Sequence, residues 1–260
     1  MSAPVLEAQG VSVAFGGVVA VNDVSLSVQP GELLGLIGPN GAGKTSFLNA
    51  VSGVVRLRSG KVLFEGRDVT AVPLHDRIGV GIARTFQGVE LLPALTVFEN
   101  LMVGRHHLMR TNTITGGLWF GPARREERLH TQRVDEIIAS LGLEHSRYEL
   151  AGSLPLGTQK IVAIARALCA EPRLLLLDEP ASGLNREERE SLAVFLLSLK
   201  TELNLTTIWI EHDVRMIVEL ADRVVALHYG QKIGEGPATE VLALDDVRRA
   251  FLGTLEEEAA

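Results

Sequence analysis

The 260-residue chain has a single cysteine, Cys169, so no disulfide can form within it, which fits a reducing compartment. Cys169 lies in an apolar, helix-patterned stretch, where a free thiol reads as a small buried hydrophobe. The chain also lacks a basic excess. Its 25 Lys and Arg against 32 Asp and Glu leave a formal charge of −7, which gives no positive field for gripping nucleic acid. No segment reaches the roughly 18–20 consecutive apolar residues of a membrane-spanning helix. Gly, Asp or Lys interrupt the longest apolar runs, and Met1-Ser2-Ala3-Pro4-Val5 has neither the basic start nor the apolar core of a signal peptide. Any association with a membrane is therefore expected to run through a partner. No internal repeat or low-complexity tract is visible. What is present is 46% hydrophobic residues over a length that suits one globular domain, or one with a subdomain, and that buries a core without staples.

The first part of the chain reads as short strands. Residues 5–8 and 11–15 are apolar-rich, Asn22-Asp23 is expected as a turn, and Val24-Ser25-Leu26-Ser27-Val28 alternates with period two as a half-buried strand does. Pro30-Gly31 marks a turn before the apolar run Leu33–Ile37, which ends at a glycine loop and leads into a helix-patterned segment, Lys44–Val51. The middle changes character. Thr96-Val97-Phe98-Glu99 is a capping-box pattern opening a helix, residues 111–122 read as a Thr- and Gly-rich loop, and 123–141 and 157–170 read as helices. The last part returns to alternating strands and helices: a four-leucine run at 174–177, a helix over 187–199, a β-branched strand Thr206–Ile210, a helix Val214–Leu220 and a strand over 223–227. This order predicts a largely parallel sheet with ligands at the carboxyl ends of its strands, and a helical block inserted between its two halves. The acidic end, Glu256-Glu257-Glu258, is expected to be a frayed tail.

Two motifs carry chemistry. Gly38-Pro39-Asn40-Gly41-Ala42-Gly43-Lys44-Thr45 matches G-x-x-x-x-G-K-[ST] in full, between a strand and a helix. Glycines let backbone N–H groups converge on phosphate oxygens, and the following helix points its positive end at the anion. Lys44 suits the β- and γ-phosphates and the Thr45 hydroxyl suits Mg²⁺; these residues, with Ser46, are candidates for binding ATP. The second motif is Leu174-Leu175-Leu176-Leu177-Asp178-Glu179. A buried strand would place Asp178 at its carboxyl end for the Mg²⁺ sphere, and Glu179 suits a general base for the attacking water.

Together with Gln87 in Thr85-Phe86-Gln87 and His212 in Glu211-His212-Asp213, these motifs stand in the order and spacing of an ATP-binding-cassette (ABC) ATPase, a family the chain resembles over nearly its whole length. The resemblance implies an α/β, P-loop NTPase fold of the ABC type: a mostly parallel sheet core, an antiparallel β subdomain and an inserted α-helical subdomain. Within a single domain over 1–260 it divides the chain into a nucleotide-binding core (1–88 and 161–236), a helical subdomain (89–160) and a C-terminal helical tail (237–260). It gives Gln87 the task of sensing Mg²⁺ and the attacking water, His212 a contact to the γ-phosphate, and Phe15 a stacking contact with adenine.

Closer similarity points to the G-type ATP-binding subunit of branched-chain amino-acid importers. It is carried by Phe15-Gly16-Gly17-Val18-Val19-Ala20-Val21-Asn22-Asp23-Val24-Ser25, Arg84-Thr85-Phe86-Gln87, Thr96-Val97-Phe98-Glu99-Asn100-Leu101, Gly183-Leu184-Asn185, Tyr229-Gly230-Gln231-Lys232-Ile233 and a long linker over 104–127. The resemblance implies a second ATPase subunit, identical or paralogous, closing head to tail, integral-membrane permease subunits, an external substrate-binding protein, and a peripheral place on the cytoplasmic face of the plasma membrane. A soluble, non-transport ABC ATPase and a urea or amide importer are the alternatives. Departures are visible as well. Where the family signature reads Leu-Ser-Gly-Gly-Gln, this chain has Leu154-Pro155-Leu156-Gly157-Thr158-Gln159, so Pro155 removes a hydroxyl donor while Gly157 keeps an N–H for the nucleotide held by the other subunit. Asn185 stands where many relatives carry Asp.

Overall fold

The structure, a computed structural model, describes residues 3–85, 88, 90–109 and 122–257. In chain order its elements are β1 (Leu6–Phe15), β2 (Val18–Val28), β3 (Leu33–Ile37), α1 (Lys44–Val51), β4 (Ser59–Phe64), β5 (Arg67–Asp68), α2 (Leu74–Val80), β6 (Ile82–Arg84), α3 (Val97–Gly104), α4 (Pro122–Ser140), α5 (Leu156–Leu168), β7 (Leu174–Asp178), α6 (Arg186–Leu203), β8 (Thr206–Ile210), α7 (Val214–Leu220), β9 (Arg223–His228), β10 (Gln231–Gly236), α8 (Ala238–Val241) and α9 (Asp245–Glu257). They fall into two compact units, Met1–Gln87 with Arg173–Gly183 and Leu196–Ala260, and Gly88–Pro172 with Leu184–Phe195. Among the described residues no helix is long and apolar enough to cross a membrane.

The first unit holds two sheets. One has the order β10-β9-β3-β8-β7-β6, parallel throughout except for β10, which runs antiparallel to β9. Every residue of β3, β7 and β8 is buried, which explains why these strands read as unbroken apolar runs instead of alternating ones. The other sheet, β2-β1-β4-β5, is antiparallel. One apolar core takes side chains from both sheets and from α1, among them Val13, Leu26, Phe47, Leu48, Phe64 and Leu176.

The antiparallel sheet differs from the sequence expectation. Residues 5–8 and 11–15 join in one strand, β1, and Asn22-Asp23, expected as a turn, lies inside β2. Register shifts between Ala8 and Ala14, with Asp23 at φ 54, absorb the turn-forming residues as bulges without ending the ladder. The seat of α1 is fixed from below by Arg77. Its guanidinium is buried and donates to the carbonyls of Val51, Val69 and Val72, so the last turn of α1 has a partner for an otherwise orphaned acceptor.

The second unit is helical. Thr96 and Glu99 form the expected capping box: the Thr96 hydroxyl accepts from the Glu99 N–H and a Glu99 carboxylate oxygen accepts from the Thr96 N–H. Val97, Leu101, Val134, Ile138, Val162 and Cys169 share its core. Burial pushes the Cys169 thiol up to about 12, so it behaves as the hydrophobe its sequence context suggests. The loop expected over 111–122 lies outside the described residues except for Pro122, the first residue of α4. At the other end of the chain α9 continues through Glu256 and Glu257, where a frayed tail was expected.

Arg105 ties this unit together. Its Nε–H donates to His130 Nδ1 at 2.9 Å, and its other nitrogens donate to the Cys169 carbonyl and the Glu171 carboxylate, each at 3.0 Å. His130 must be neutral at Nδ1 to accept. Burial and the Arg105 charge both hold its pKa below the ordinary value, against the weaker pull of Glu126 and Glu171. The folded state therefore resists protonation of His130 while the unfolded state does not. Stability should be constant above about pH 6.5 as far as His130 is concerned and should fall as pH drops below it. Urea titrations at stepped pH should show that fall, and His130→Gln, which keeps an acceptor and cannot titrate, should flatten it.

Candidate functional site

The strand order brings three carboxyl ends side by side. β3 runs into the glycine loop, its neighbour β8 runs into Glu211-His212, and β7 beyond it runs into Asp178-Glu179. All three strands are parallel, so the loops leave the sheet at one edge.

In the glycine loop Gly38, Gly41 and Gly43 have φ of 147, 74 and 97, values that side chains rarely permit. At Gly43 the requirement is also steric, because a Cβ would fall 2.4 Å from the Ala20 carbonyl oxygen. The loop is stitched to its surroundings by the Gly230 N–H, which donates to the Ala42 carbonyl at 3.0 Å, while the Gly230 carbonyl accepts from Asn22 N–H at 2.8 Å. Gly43 caps α1 without any side-chain hydrogen bond, so the first N–H groups of this helix carry no side-chain cap and α1 presents its positive end to the loop. Lys44 is buried, and its Nζ donates to the carbonyls of Gly38 and Pro39 at 2.7 and 2.9 Å. Burial lowers its pKa; Glu179 and Asp178 pull the other way. Thr45 is exposed and Ser46 half-buried on the first turn.

Asp178 is buried at the end of β7. Its Oδ2 accepts from Arg84 Nη2 at 2.8 Å, while its Oδ1 is buried without a hydrogen-bond partner. Burial pushes its carboxyl above the usual range, opposed chiefly by Arg84. Glu179 follows with φ 49, and its Oε1 lies 2.7 Å from His212 Nε2. Thus the Glu179 and His212 side chains meet, and the Asp178 and Glu179 carboxylates act on the Lys44 charge. Among the described residues no cluster of three or more His, Cys, Asp and Glu is arranged to hold a metal ion. Phe15 is half-exposed at the end of β1, beside the Gly16-Gly17 turn. Gln87 lies outside the described residues. Gly157, the second residue of α5, donates its N–H to Glu188 Oε1 at 3.0 Å, and Glu188 Oε2 accepts from the Asn185 N–H.

Two residues at the sheet edge were not singled out by sequence. Arg84 reaches Asp178 with one nitrogen and Asn49 and Ser52 with another, joining β6, β7 and α1. Glu211 accepts from two backbone N–H groups, those of Ala181 and His212. Each was visible in the sequence beside a recognised residue, with no spacing rule to mark it.

A family model described as ABC transporter matches residues 21–182 of this chain. The chain belongs to the ABC transporter family. The high-affinity branched-chain amino acid transport ATP-binding protein BraF of Pseudomonas aeruginosa is 36% identical to it over 254 residues, which cover 97% of this chain and 99% of BraF. The corresponding protein LivG of Escherichia coli (strain K12) is 35% identical over 253 residues, covering 97% and 99%. The crystal structure of the ADP conformation of an ATP-binding cassette of an ABC transporter matches with a TM-score of 0.84 at 29% identity, covering 97% of this chain and 100% of that one. The fold is thus that of an ABC ATPase, and the chain is an ATP-binding, ATP-hydrolysing member of the family.

The Gly43 geometry makes a direct prediction for this ABC ATPase. Gly43→Ala adds a left-handed strain of about 1–3 kcal/mol to the collision with Ala20, so ATP affinity should drop on the order of tenfold or more. Titration with a fluorescent ATP analogue measures it; unchanged affinity would show that the loop rearranges freely.

Proposed function

We propose that this chain is the ATP-hydrolysing subunit of an importer for branched-chain amino acids. Its sheet edge would hold the nucleotide and a second subunit would complete the site. The observation that carries the reading is the Glu179–His212 pair at 2.7 Å, at the same edge as a phosphate-type loop. In this reading the uncapped start of α1 and the N–H groups of the loop hold the phosphates. Lys44 exchanges the Gly38 and Pro39 carbonyls for β- and γ-phosphate oxygens. Phe15 stacks on adenine, and Gly38 to Ser46 form the cradle.

The residues present also suit Mg²⁺. Asp178 offers a buried oxygen, Oδ1, with no hydrogen-bond partner, in a carboxylate that burial disfavours as an anion. A hard divalent cation reverses that penalty, and Thr45 adds a hydroxyl oxygen on the first turn of α1. When bound, Mg²⁺ would neutralise the phosphate charge and align the oxygens. Gln87 is assigned to the same sphere on the resemblance alone. Glu179 accepts a proton from the attacking water as general base, and His212, released from Glu179, holds the γ-phosphate.

The complementary half of the site comes from the signature of the other subunit, a second copy or a paralogue. Here the Gly157 N–H is engaged by Glu188. Closure of the dimer would therefore exchange that carboxylate for a phosphate. Pro155 contributes no hydroxyl, so the half-site that this chain lends is poorer by a bond of roughly 1.5–3 kcal/mol. The charge of −7 argues against a nucleic-acid partner. In this reading the chain works with permease subunits in the membrane, bound peripherally on the cytoplasmic face with an external binding protein beyond; the likeness to transport ATP-binding proteins supports the permease partner.

Glu179→Gln tests the mechanism. Loss of a general base typically removes a factor of roughly 10²–10⁴, so turnover should collapse while ATP binding persists; an unchanged rate removes Glu179 from the role. The substrate is tested separately by purifying the native complex and identifying its binding protein and bound ligand. Leucine, isoleucine or valine is expected; urea, an amide or an aromatic acid overturns the assignment without touching the ATPase.

A further inference from the structure

We propose that Glu211 is a positioning residue of the ATPase site, whose carboxylate fixes the loop carrying Glu179 to the loop carrying His212. This rests on the roles given above to Glu179 and His212, and adds the part that holds them together.

The argument begins where the sheet ends. β7 and β8 are paired from Leu174 with Thr206 to Asp178 with Ile210, and one further bond, Glu179 N–H to the Ile210 carbonyl at 2.9 Å, extends the ladder. Beyond that bond the chains part. The β7 side turns through Glu179 at φ 49 into Pro180 and Ala181; the β8 side continues through Glu211 to His212. Backbone pairing no longer fixes the spacing of the two loops at the point where the Glu179–His212 distance is decided.

Glu211 spans the gap. Its side chain is buried, with the residue 5% exposed. Oε2 accepts from the Ala181 N–H at 3.1 Å and Oε1 accepts from the His212 N–H at 2.9 Å. A buried carboxylate is costly unless both oxygens are bonded, so this residue type persists here only while both loops remain against it. The two donors lie two residues after Glu179 and at His212 itself. The carboxylate thus sets the backbone on each side of the 2.7 Å Glu179–His212 contact. It acts through the backbones of the two loops.

Glutamine is close to isosteric but offers one acceptor and one NH₂ group, so it satisfies one N–H and opposes the other. Glu211→Gln and Glu211→Ala in the full-length chain should lower kcat roughly ten- to a hundredfold, as a displacement on the order of 1 Å does, with KM for ATP little changed. Residual turnover is read with a phosphate sensor and nucleotide binding with a fluorescent ATP analogue, alongside thermal melts. The decisive arm is the His212→Ala background. There the pair is already gone, so Glu211→Gln should cost little more. Wild-type kcat in both Glu211 variants overturns the proposal, and so does a full additive loss in the His212→Ala background, or a lower melting temperature with KM and kcat changed together. If His212→Ala itself leaves turnover intact, the reading of His212 fails first and the proposal with it. If His212→Ala cripples turnover and Glu211→Gln does not, Glu211 alone is wrongly assigned.

Discussion

The parallel pairing of β8 with β3 on one side and β7 on the other is the constraint on which the rest depends. Parallel strands end their loops on the same edge, so three segments far apart in sequence, near 40, 180 and 211, deliver their side chains to one place. The strands achieve this by being apolar on both faces. Leu174, Leu175, Leu176 and Leu177 are fully buried, as are Ile208, Trp209 and Ile210. At about 25 cal/mol per Å² of apolar surface, such burial holds these strands in the interior of the sheet. The site inherits its precision from that core.

The edge itself is a problem in buried charge. Lys44 and Asp178 are both buried, and burial shifts each towards its neutral form. Each is answered by partners held on different elements: Lys44 by two loop carbonyls, Asp178 by an arginine from β6. Arg84 in turn reaches Asn49 and Ser52 at the end of α1, so the helix that begins at the glycine loop is tied at its far end to the acidic strand. Such a network holds Asp178 by one oxygen and leaves its Oδ1 buried without a hydrogen-bond partner.

What the sequence made legible were the features with a fixed period or a fixed chemistry. The boundaries of β3, α1, β8 and α7 read directly from apolar runs between a glycine or proline turn and the next polar cluster. The capping box named its helix start because the motif is the interaction. The antiparallel sheet was harder. Asn22-Asp23 carries turn chemistry, yet a bulge can use the same residues without turning, and only the pairing partner decides. The stretch from 59 to 84 gave no reading, because β5 and β6 are two and three residues long and show no period. At the candidate site, Lys44, Asp178, Glu179 and His212 were legible as residues that the parallel strands carry to one end of the sheet. Arg84 and Glu211 were not, because their function is to hold other protein groups and that depends on distances no sequence spacing records.

The signature shows why a departure from a motif must be weighed with its surroundings. Pro155 fixes the entry to α5 at φ −54 and supplies no side-chain cap, so the positive end of that helix lacks the hydroxyl of the family signature. Gln159 turns back to donate to the Leu154 carbonyl at 2.8 Å, closing the turn from within. The remaining donor, Gly157 N–H, meets Glu188, and a Cβ at 157 would fall 2.9 Å from Glu188 Cγ and push that side chain aside. Glu188 is at the same time the N-terminal cap partner of α6, trading hydrogen bonds with Asn185 in both directions. The start of α5 is thus already balanced by an anion delivered from the first turn of α6. Replacing it with a phosphate oxygen would be an exchange of like charge for like. Such an exchange costs little in electrostatics and moves the 185–188 segment whenever it happens. In the proposed dimer that would link the filling of one nucleotide site to the loop after the general base of the other, with Asn185 as the first residue to feel it.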